Sequence, residues 1–404
     1  MSETMTIDGF GPLPVHRPKD AAGVCDVVRS AAEAGQAVYP IGGGTTLDIG
    51  CPPTKPGIAV STTALNRVID YPARDMTVTV QAGITVAKLQ ALLAAENQWL
   101  PVDVPNPDRA TIGGVVAANL SGPHRFGHGS LRDYAIGISF VSDEGIEVKA
   151  GGRVVKNVAG YDLMKLQTGA LGTLGILTQL TFKVKPRPER SQLLSFGVMD
   201  ENLEAVLDRI HASNCRPVAV ELLNASAAAS CGIESDRPWV VVVGLEEKAV
   251  TVASQKAALI ADLKEVTWSE VADCDASVWD ELAAFQSRPE SAVIWKISTL
   301  PGAVARLAVA LTAKYPVLIQ AHAGNGILWV HALPGPITNA ASVEAVVEPI
   351  GTADFPGRCM VRRAPVGWKP NIRIGGKPSG DRELMRHVKA TLDPKNVFNP
   401  GRFV

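Results

Sequence analysis

Glycine and threonine cluster at four places in the first 175 residues, and these are the places where the chain could hold an anion or a flat ring. The first is Gly42-Gly43-Gly44-Thr45-Thr46. Consecutive glycines let backbone amides turn toward one anion without Cβ interference, and threonine hydroxyls add donors. A pyrophosphate is the natural guest. No lysine follows the loop, which removes a Walker A site, and the spacing is not a GxGxxG opening a helix, which disfavours a Rossmann site. The second segment runs from Pro105 to Asn119. Two prolines precede Thr111 and the pair Gly113-Gly114, and small residues continue through Ala117, so the backbone can lie flat against a planar group. The third is Gly127-His128-Gly129-Ser130, and the fourth covers 151–163 and continues through 169–176. Each alone reads as a turn. The four in this order are more specific than any one.

Around these loops the pattern alternates between two periods. A helix is expected over 20–35, capped by Asp20, with Val24, Val27, Val28 and Ala31 on one face. Strands are expected at 37–41, 58–60, 68–71 and 76–80. A helix opens at Thr85 with Leu89, Leu92 and Leu93 at helical spacing. Strands 135–141 and 146–148 flank Asp143-Glu144-Gly145, a hairpin turn. A strand over 176–184 is stopped by Lys185-Pro186-Arg187-Pro188, which marks a domain boundary. The second half reads strand–helix–strand–strand–helix–strand, twice over, with a less regular stretch between; this is the ferredoxin-like order. Its second round holds a strand at 292–297, a helix at 303–314, a hairpin of 317–322 and 327–331, a helix at 341–350 and a strand at 359–363. A last helix over 381–391 leads to Phe398-Asn399-Pro400-Gly401-Arg402.

The four loops together resemble the FAD-binding domain of the vanillyl-alcohol-oxidase superfamily, of the PCMH type. The similarity covers about residues 15–185, with the tail from Asp393 to Arg402 as a second anchor. It implies an α+β fold: a two-subdomain FAD-binding domain over 1–188, a ferredoxin-like cap domain over 189–380, and a C-terminal helix and tail, 381–404, returning to the FAD domain. It implies that Gly42, Gly43, Gly44, Thr45 and Thr46 hold the pyrophosphate, that Thr111, Gly113, Gly114 and Ala117 line the ribityl and pyrophosphate path, and that Pro105 is a further cofactor-binding residue. Gly127, His128 and Ser130 would approach the isoalloxazine, Gly172, Thr173 and Ile176 would close over the adenine side, and Asp162 and Arg132 are further contacts. Covalent members often place a histidine directly after the loop glycines. Thr45 stands there, so non-covalent FAD is expected.

Gly-Gly-Arg-Val-Val-Lys-Asn-Val-Ala-Gly-Tyr-Asp-Leu at 151–163 and the Phe-Asn-Pro-Gly-Arg ending are similar to the FAD-binding subunits of bacterial glycolate oxidases. That resemblance implies a hetero-oligomer with a larger catalytic flavoprotein and an iron–sulfur subunit. Together these would oxidise glycolate, a small 2-hydroxy acid, to glyoxylate and pass electrons onward without NAD. Catalytic relatives carry His-x-Gly-Asp-Gly-Asn-x-His on a cap hairpin, both histidines binding a divalent metal. Here the hairpin reads His322-Ala323-Gly324-Asn325-Gly326-Ile327-Leu328-Trp329. The acid has become Asn325 and the second histidine Trp329. One histidine cannot hold zinc, since catalytic sites use three protein ligands, so no metal is expected, although His331 stands two residues further along the strand.

Flavin oxidation of a 2-hydroxy acid also needs a base for the hydroxyl proton and a cation for the carboxylate. His322 is the candidate base and Arg362 the candidate cation, with Lys296 and Arg363 as further cations. Two other readings stay open. One is a stand-alone FAD-dependent 2-hydroxy-acid dehydrogenase, and the other is a non-catalytic assembly subunit that keeps the flavin fold.

Composition narrows the classes. At 404 residues, and about 150 per domain, two or three domains are expected. Lys and Arg total 39 against 40 Asp and Glu, which gives no electrostatic footprint for nucleic acid or an anionic membrane. The six cysteines form no CxxC, so iron–sulfur clusters would sit on another chain, and the thiols read as reduced in a cytosolic compartment. The first ten residues hold acids and no apolar run, unlike a signal peptide. No stretch of eighteen apolar residues occurs, so no transmembrane segment is expected. A cytoplasmic protein is expected, with peripheral attachment at the inner membrane face through partner subunits.

Overall fold

The computed structural model describes residues 3–153, 160–264, 271–288 and 290–403. Residues 154–159, inside the motif at 151–163, lie outside them. The chain divides into two compact units. The first comprises Met1–Leu120, Ser130–Arg187 and Pro378–Val404, and the second Ser121–Gly129 and Pro188–Lys377. Reading in chain order put Ser121–Gly129 with the first unit. In the structure its hydrogen bonds and ring contacts go to the second, as described below.

In the first unit, apolar residues at helical spacing bury one face of Ala21–Glu33. Val24, Val28 and Ala31 are inside, and the Asp20 carboxylate accepts from Gly23 N at 2.8 Å to cap the first turn. This helix packs beside a four-stranded sheet in the order Thr4–Ile7, Phe10–His16, Gly57–Ser61, Ala37–Ile41. A second sheet runs Val68–Asp70, Thr77–Gln81, Ile176–Lys183, Ala135–Val141, Glu147–Gly151, all antiparallel. Its inner face carries Val78, Val80, Ile138, Leu180 and Phe182, covered by Leu89 and Leu93 of the helix Val86–Ala94 and by Ile112, Val115 and Val116 of Ile112–Ala118. The tail closes the first sheet: Val38 N donates to Val397 O at 2.7 Å and Asn399 N to Val38 O at 3.0 Å. Lys389 fixes this return from the helix Gly380–Leu392, donating to Thr173 O at 2.9 Å and Phe398 O at 2.7 Å and pairing with Asp393.

The second unit is built on one eight-stranded antiparallel sheet. Its order is Ala272–Asp273, Arg190–Val198, Trp239–Glu247, Ala219–Asn224, Val317–His322, Ile327–Ala332, Ile294–Thr299, Gly357–Arg363. Each half has the ferredoxin-like strand order, and the halves join where Glu221, Leu222 and Leu223 pair with His322, Ala321 and Gln320. The helices Ala225–Ser230 and Val278–Ala284, in stretches with no clear sequence pattern, supply Ala227, Ala228, Val278 and Leu282 to the core under this sheet. Among the described residues no helix is long and apolar enough to cross a membrane.

Candidate functional site

The first two glycine segments meet. A Cβ on Gly42 would stand 2.1 Å from Thr111 Oγ1, and one on Gly43 would stand 1.7 Å from Arg109 O. A Cβ on Gly113 would come within 2.8 Å of Ala82 Cβ and O. These glycines are needed because chain presses on chain. Gly114 differs, since its Cβ would meet only Thr111 Oγ1, at 3.2 Å. Thr111 caps the helix behind it, its hydroxyl accepting from Gly114 N at 3.4 Å.

The two loops form the wall of an open cleft. Of the expected cofactor residues, Gly42, Gly43, Gly44, Thr45, Thr46, Thr111, Gly113, Gly114, Ala117, Gly172 and Ile176 line it. Pro105, Ser130, Asp162 and Thr173 do not, and each has local work instead. Pro105 is buried. Ser130 donates to Asp133 Oδ2 at 2.8 Å in a capping box. Asp162 accepts from Lys165 N at 3.1 Å and caps Leu163–Gln167. The Thr173 hydroxyl donates to Ala170 O at 2.7 Å. Arg132 is exposed.

Leu47 and Gln167, not singled out from sequence, complete the cleft, with Asn399 and Arg402 of the tail, which was expected as an anchor but not as a cofactor contact. Arg402 is 6% exposed. Its guanidinium donates to the carbonyls of Leu47, Ile49 and Cys51 and lies 3.4 Å from Asp8 Oδ2. Burial pulls its pKa down and Asp8 opposes that. The tail thus ties the 47–51 loop to the glycine loop and adds positive charge to the cleft. Such a surface, with amides freed by glycine, threonine hydroxyls and one buried cation, fits a dinucleotide diphosphate.

Gly127 and His128 depart further from expectation, because they belong to the second unit. Gly127 N donates to Val218 O at 2.9 Å, and a Cβ on Gly127 would stand 2.6 Å from Val218 Cα. His128 Nε2 donates to Glu246 Oε2 at 3.1 Å.

His322, expected as a free base, has both ring nitrogens engaged. It is 2% exposed. Nδ1 donates to the Glu221 carboxylate at 2.8 Å, and Nε2 accepts from the Trp329 indole N–H at 3.3 Å. An indole only donates, so the lone pair a base would use is taken. The Trp that replaces histidine on this hairpin therefore caps the remaining histidine. Gln320 Nε2 completes the group by donating to Glu221 Oε2 at 2.7 Å. His331 turns elsewhere: Nδ1 is 2.9 Å from Ser291 Oγ, and burial, with Arg288 and Arg363 adding to it, pulls the ring down to about 3, so it stays neutral.

Beside Trp329 lies a cation. Lys296 Nζ sits 5.3 Å from the Trp329 ring centroid, on the strand paired with it. Burial, then the charges of Arg125 and Arg362, hold its ammonium down at about 8. Arg362 is buried. Arg363 is instead turned to the chain, donating to Arg288 O at 2.6 Å.

Residues 12–151 match the family described as an FAD binding domain, and residues 377–403 match the C-terminal domain of FAD linked oxidases. The chain thus carries an FAD binding domain and the C-terminal domain of FAD linked oxidases, on the FAD-binding fold of the vanillyl-alcohol-oxidase superfamily. The cofactor of this FAD-linked oxidase is FAD. It is 27% identical to glycolate oxidase subunit GlcD of Bacillus subtilis over 97% of this chain and 88% of that one. It is 39% identical to subunit GlcE of Escherichia coli over 31% of this chain and 36% of that one. A D-lactate dehydrogenase of Archaeoglobus fulgidus is 25% identical over 96% of this chain and 91% of that one. The structure of p-cresol methylhydroxylase superposes with a TM-score of 0.73 over 96% of this chain and 88% of that one at 14% identity, a likeness of fold.

Proposed function

We propose that this FAD-linked oxidase is the smaller flavoprotein subunit of a glycolate oxidase complex. In this reading it takes part in oxidising a 2-hydroxy acid, glycolate first, to the 2-oxo acid. FAD, held without a covalent bond in the cleft of Gly42–Thr46 and Gly113–Ala117, supplies the two-electron acceptor when bound. The observation that carries the reading is the glycine-lined cleft, and Lys296, 5.3 Å from the Trp329 ring on the cap sheet, offers a cation for a small carboxylate. Similarity along nearly the whole chain to a glycolate oxidase subunit and a D-lactate dehydrogenase supports the same substrate class.

The role of subunit rather than autonomous enzyme rests on His322. With its lone pair taken by Trp329, the candidate base cannot accept the hydroxyl proton, and the hairpin lacks the second histidine of metal-binding relatives. A larger catalytic flavoprotein then carries the primary chemistry. The six cysteines form no ligand run, which supports a further partner as the carrier of an iron–sulfur cluster in this reading. The complex would lie in the cytoplasm or at the inner membrane face through its partners.

The test is an anaerobic absorption spectrum of the FAD-loaded chain alone, before and after glycolate and D-lactate. Flavin absorbance that persists until the larger flavoprotein is added supports the subunit reading. Bleaching by substrate alone overturns it in favour of an autonomous dehydrogenase, and a colourless protein that takes up no FAD overturns both.

A further inference from the structure

The helix Gly380–Leu392 turns one side chain fully inward, and that side chain is a lysine. Lys389 is its buried residue, while Leu384 is 64% exposed. Helices in folded proteins are held mostly by burying an apolar face, so this one is seated differently. A buried ammonium is costly unless each of its protons finds an acceptor. Lys389 Nζ has three: Thr173 O at 2.9 Å, Phe398 O at 2.7 Å and the Asp393 carboxylate. Burial lowers its pKa, and Asp393 opposes that.

The acceptors belong to two segments that both border the cleft. Thr173 sits in the turn whose Leu171 and Gly172 line it, and Phe398 in the tail whose Asn399 and Arg402 line it. Asp393 holds the tail a second time, its Oδ1 accepting from Val397 N and its Oδ2 from Phe398 N, each at 2.8 Å. Asn399 then reaches the turn, Nδ2 donating to Leu171 O at 2.6 Å. A Cβ on Gly172 would stand 3.0 Å from Asn399 Nδ2, so turn and tail are in contact. An apolar side chain at 389 would seat the helix but would join nothing. The ammonium ties turn to tail behind the surface that both present to the cleft.

We propose that Lys389 is a positioning residue for the cofactor, which by joining the 171–173 turn to the tail sets both against FAD and governs its affinity. This rests on the placement of FAD in that cleft. Binding couplings are reciprocal, so FAD in turn favours the docked tail.

The experiment is titration of the FAD-free full chain with FAD at the flavin band, with amide exchange of the tail followed by mass spectrometry. Lys389→Met keeps the stem and removes the ammonium. It is expected to weaken FAD binding about tenfold, the equivalent of one hydrogen bond to a charged group. In the wild type, FAD above its dissociation constant is expected to slow amide exchange over 397–399, and at the same concentration to slow it about tenfold less in Lys389→Met. If the ammonium serves stability alone, Lys389→Met lowers the melting temperature but leaves the FAD affinity of the folded chain unchanged. That result overturns the positioning role, as does wild-type tail exchange that FAD leaves untouched. Should Lys389→Met fail to fold, Asn399→Gly removes the bond to Leu171 O and suits the positive φ of 44° at that position. It is expected to weaken FAD and lessen the slowing together, and unchanged affinity there overturns the joining of turn and tail. Gly114→Val separates this role from the placement of FAD. Full FAD binding in Gly114→Val overturns the placement, whereas lost binding there with unchanged affinity in Lys389→Met overturns the role of Lys389 alone.

Discussion

Gly43 and Gly114 belong to the same cleft but should fail in different ways when each is changed to valine. A Cβ at Gly43 would lie 1.7 Å from Arg109 O, about 1.6 Å inside an ordinary C···O contact of about 3.3 Å. The obstacle is backbone and cannot swing aside, so the two loops must part. Overpacking of this kind costs about 3 kcal/mol. For a unit of roughly 200 residues, that lowers the melting temperature by about 8 °C. At Gly114 the new Cβ meets one hydroxyl at 3.2 Å, which can yield by a few tenths of an ångström, and otherwise projects into the cleft. Valine is also a slightly better helix former than glycine. Gly114→Val should therefore leave the FAD-free protein as stable as wild type, within about 2 °C, and abolish flavin binding by filling the cofactor's space. The assay is thermal unfolding of the FAD-free chain, followed by titration with FAD read at the flavin band. An unaltered melting temperature in Gly43→Val would refute the loop-on-loop reading, and full FAD stoichiometry in Gly114→Val would refute the placement of FAD against this helix.

Three further outcomes follow from the geometry. Arg402→Ala should weaken FAD binding by at least about tenfold by equilibrium dialysis, because three loop carbonyls lose a charged donor; unchanged affinity would separate the tail from the cleft. Lys296, held down at about 8, carries its charge below that pH and loses it above. Oxalate affinity should fall as pH rises through 8, and Arg362→Ala, which removes a repelling neighbour, should move the midpoint upward; a midpoint that stays put would deny the coupling. Burial would raise the Glu246 carboxyl, but the hydrogen bonds from His124 and His128 prevail and hold it at about 2, against an ordinary 4.5. A depressed carboxyl stabilises the fold above its unfolded value. About 3 kcal/mol should therefore be present above pH 4.5 and drain away toward pH 2. Denaturant midpoints measured across that window should fall in the wild type more steeply than in Glu246→Gln.

The glycine loops were legible because a missing side chain is itself a backbone instruction: only glycine at 42, 43 and 113 lets these strands of chain touch. The ferredoxin-like halves were legible because strand and helix periods alternate in a fixed order, and the structure joins them into one sheet as two copies of that order. The helices Ala225–Ser230 and Val278–Ala284 were not, since an alanine-rich turn and a short amphipathic run carry little periodic signal and are held by the core they fill.

At the level of single residues the division is sharper. The sequence by itself determined that a diphosphate-sized anion could be cradled near residue 42 and that the hairpin at 322 lacks a second histidine. Only the tertiary structure decided what those residues touch. His322 meets a carboxylate 101 positions away, Arg402 meets carbonyls more than 350 positions away, and His128 leaves the flavin loops for Glu246, 118 positions further on. Local pattern fixes which elements form because helices and strands are held by neighbouring residues. Which lone pair is spent and which charge is paired depends on side chains that meet only when distant segments fold together.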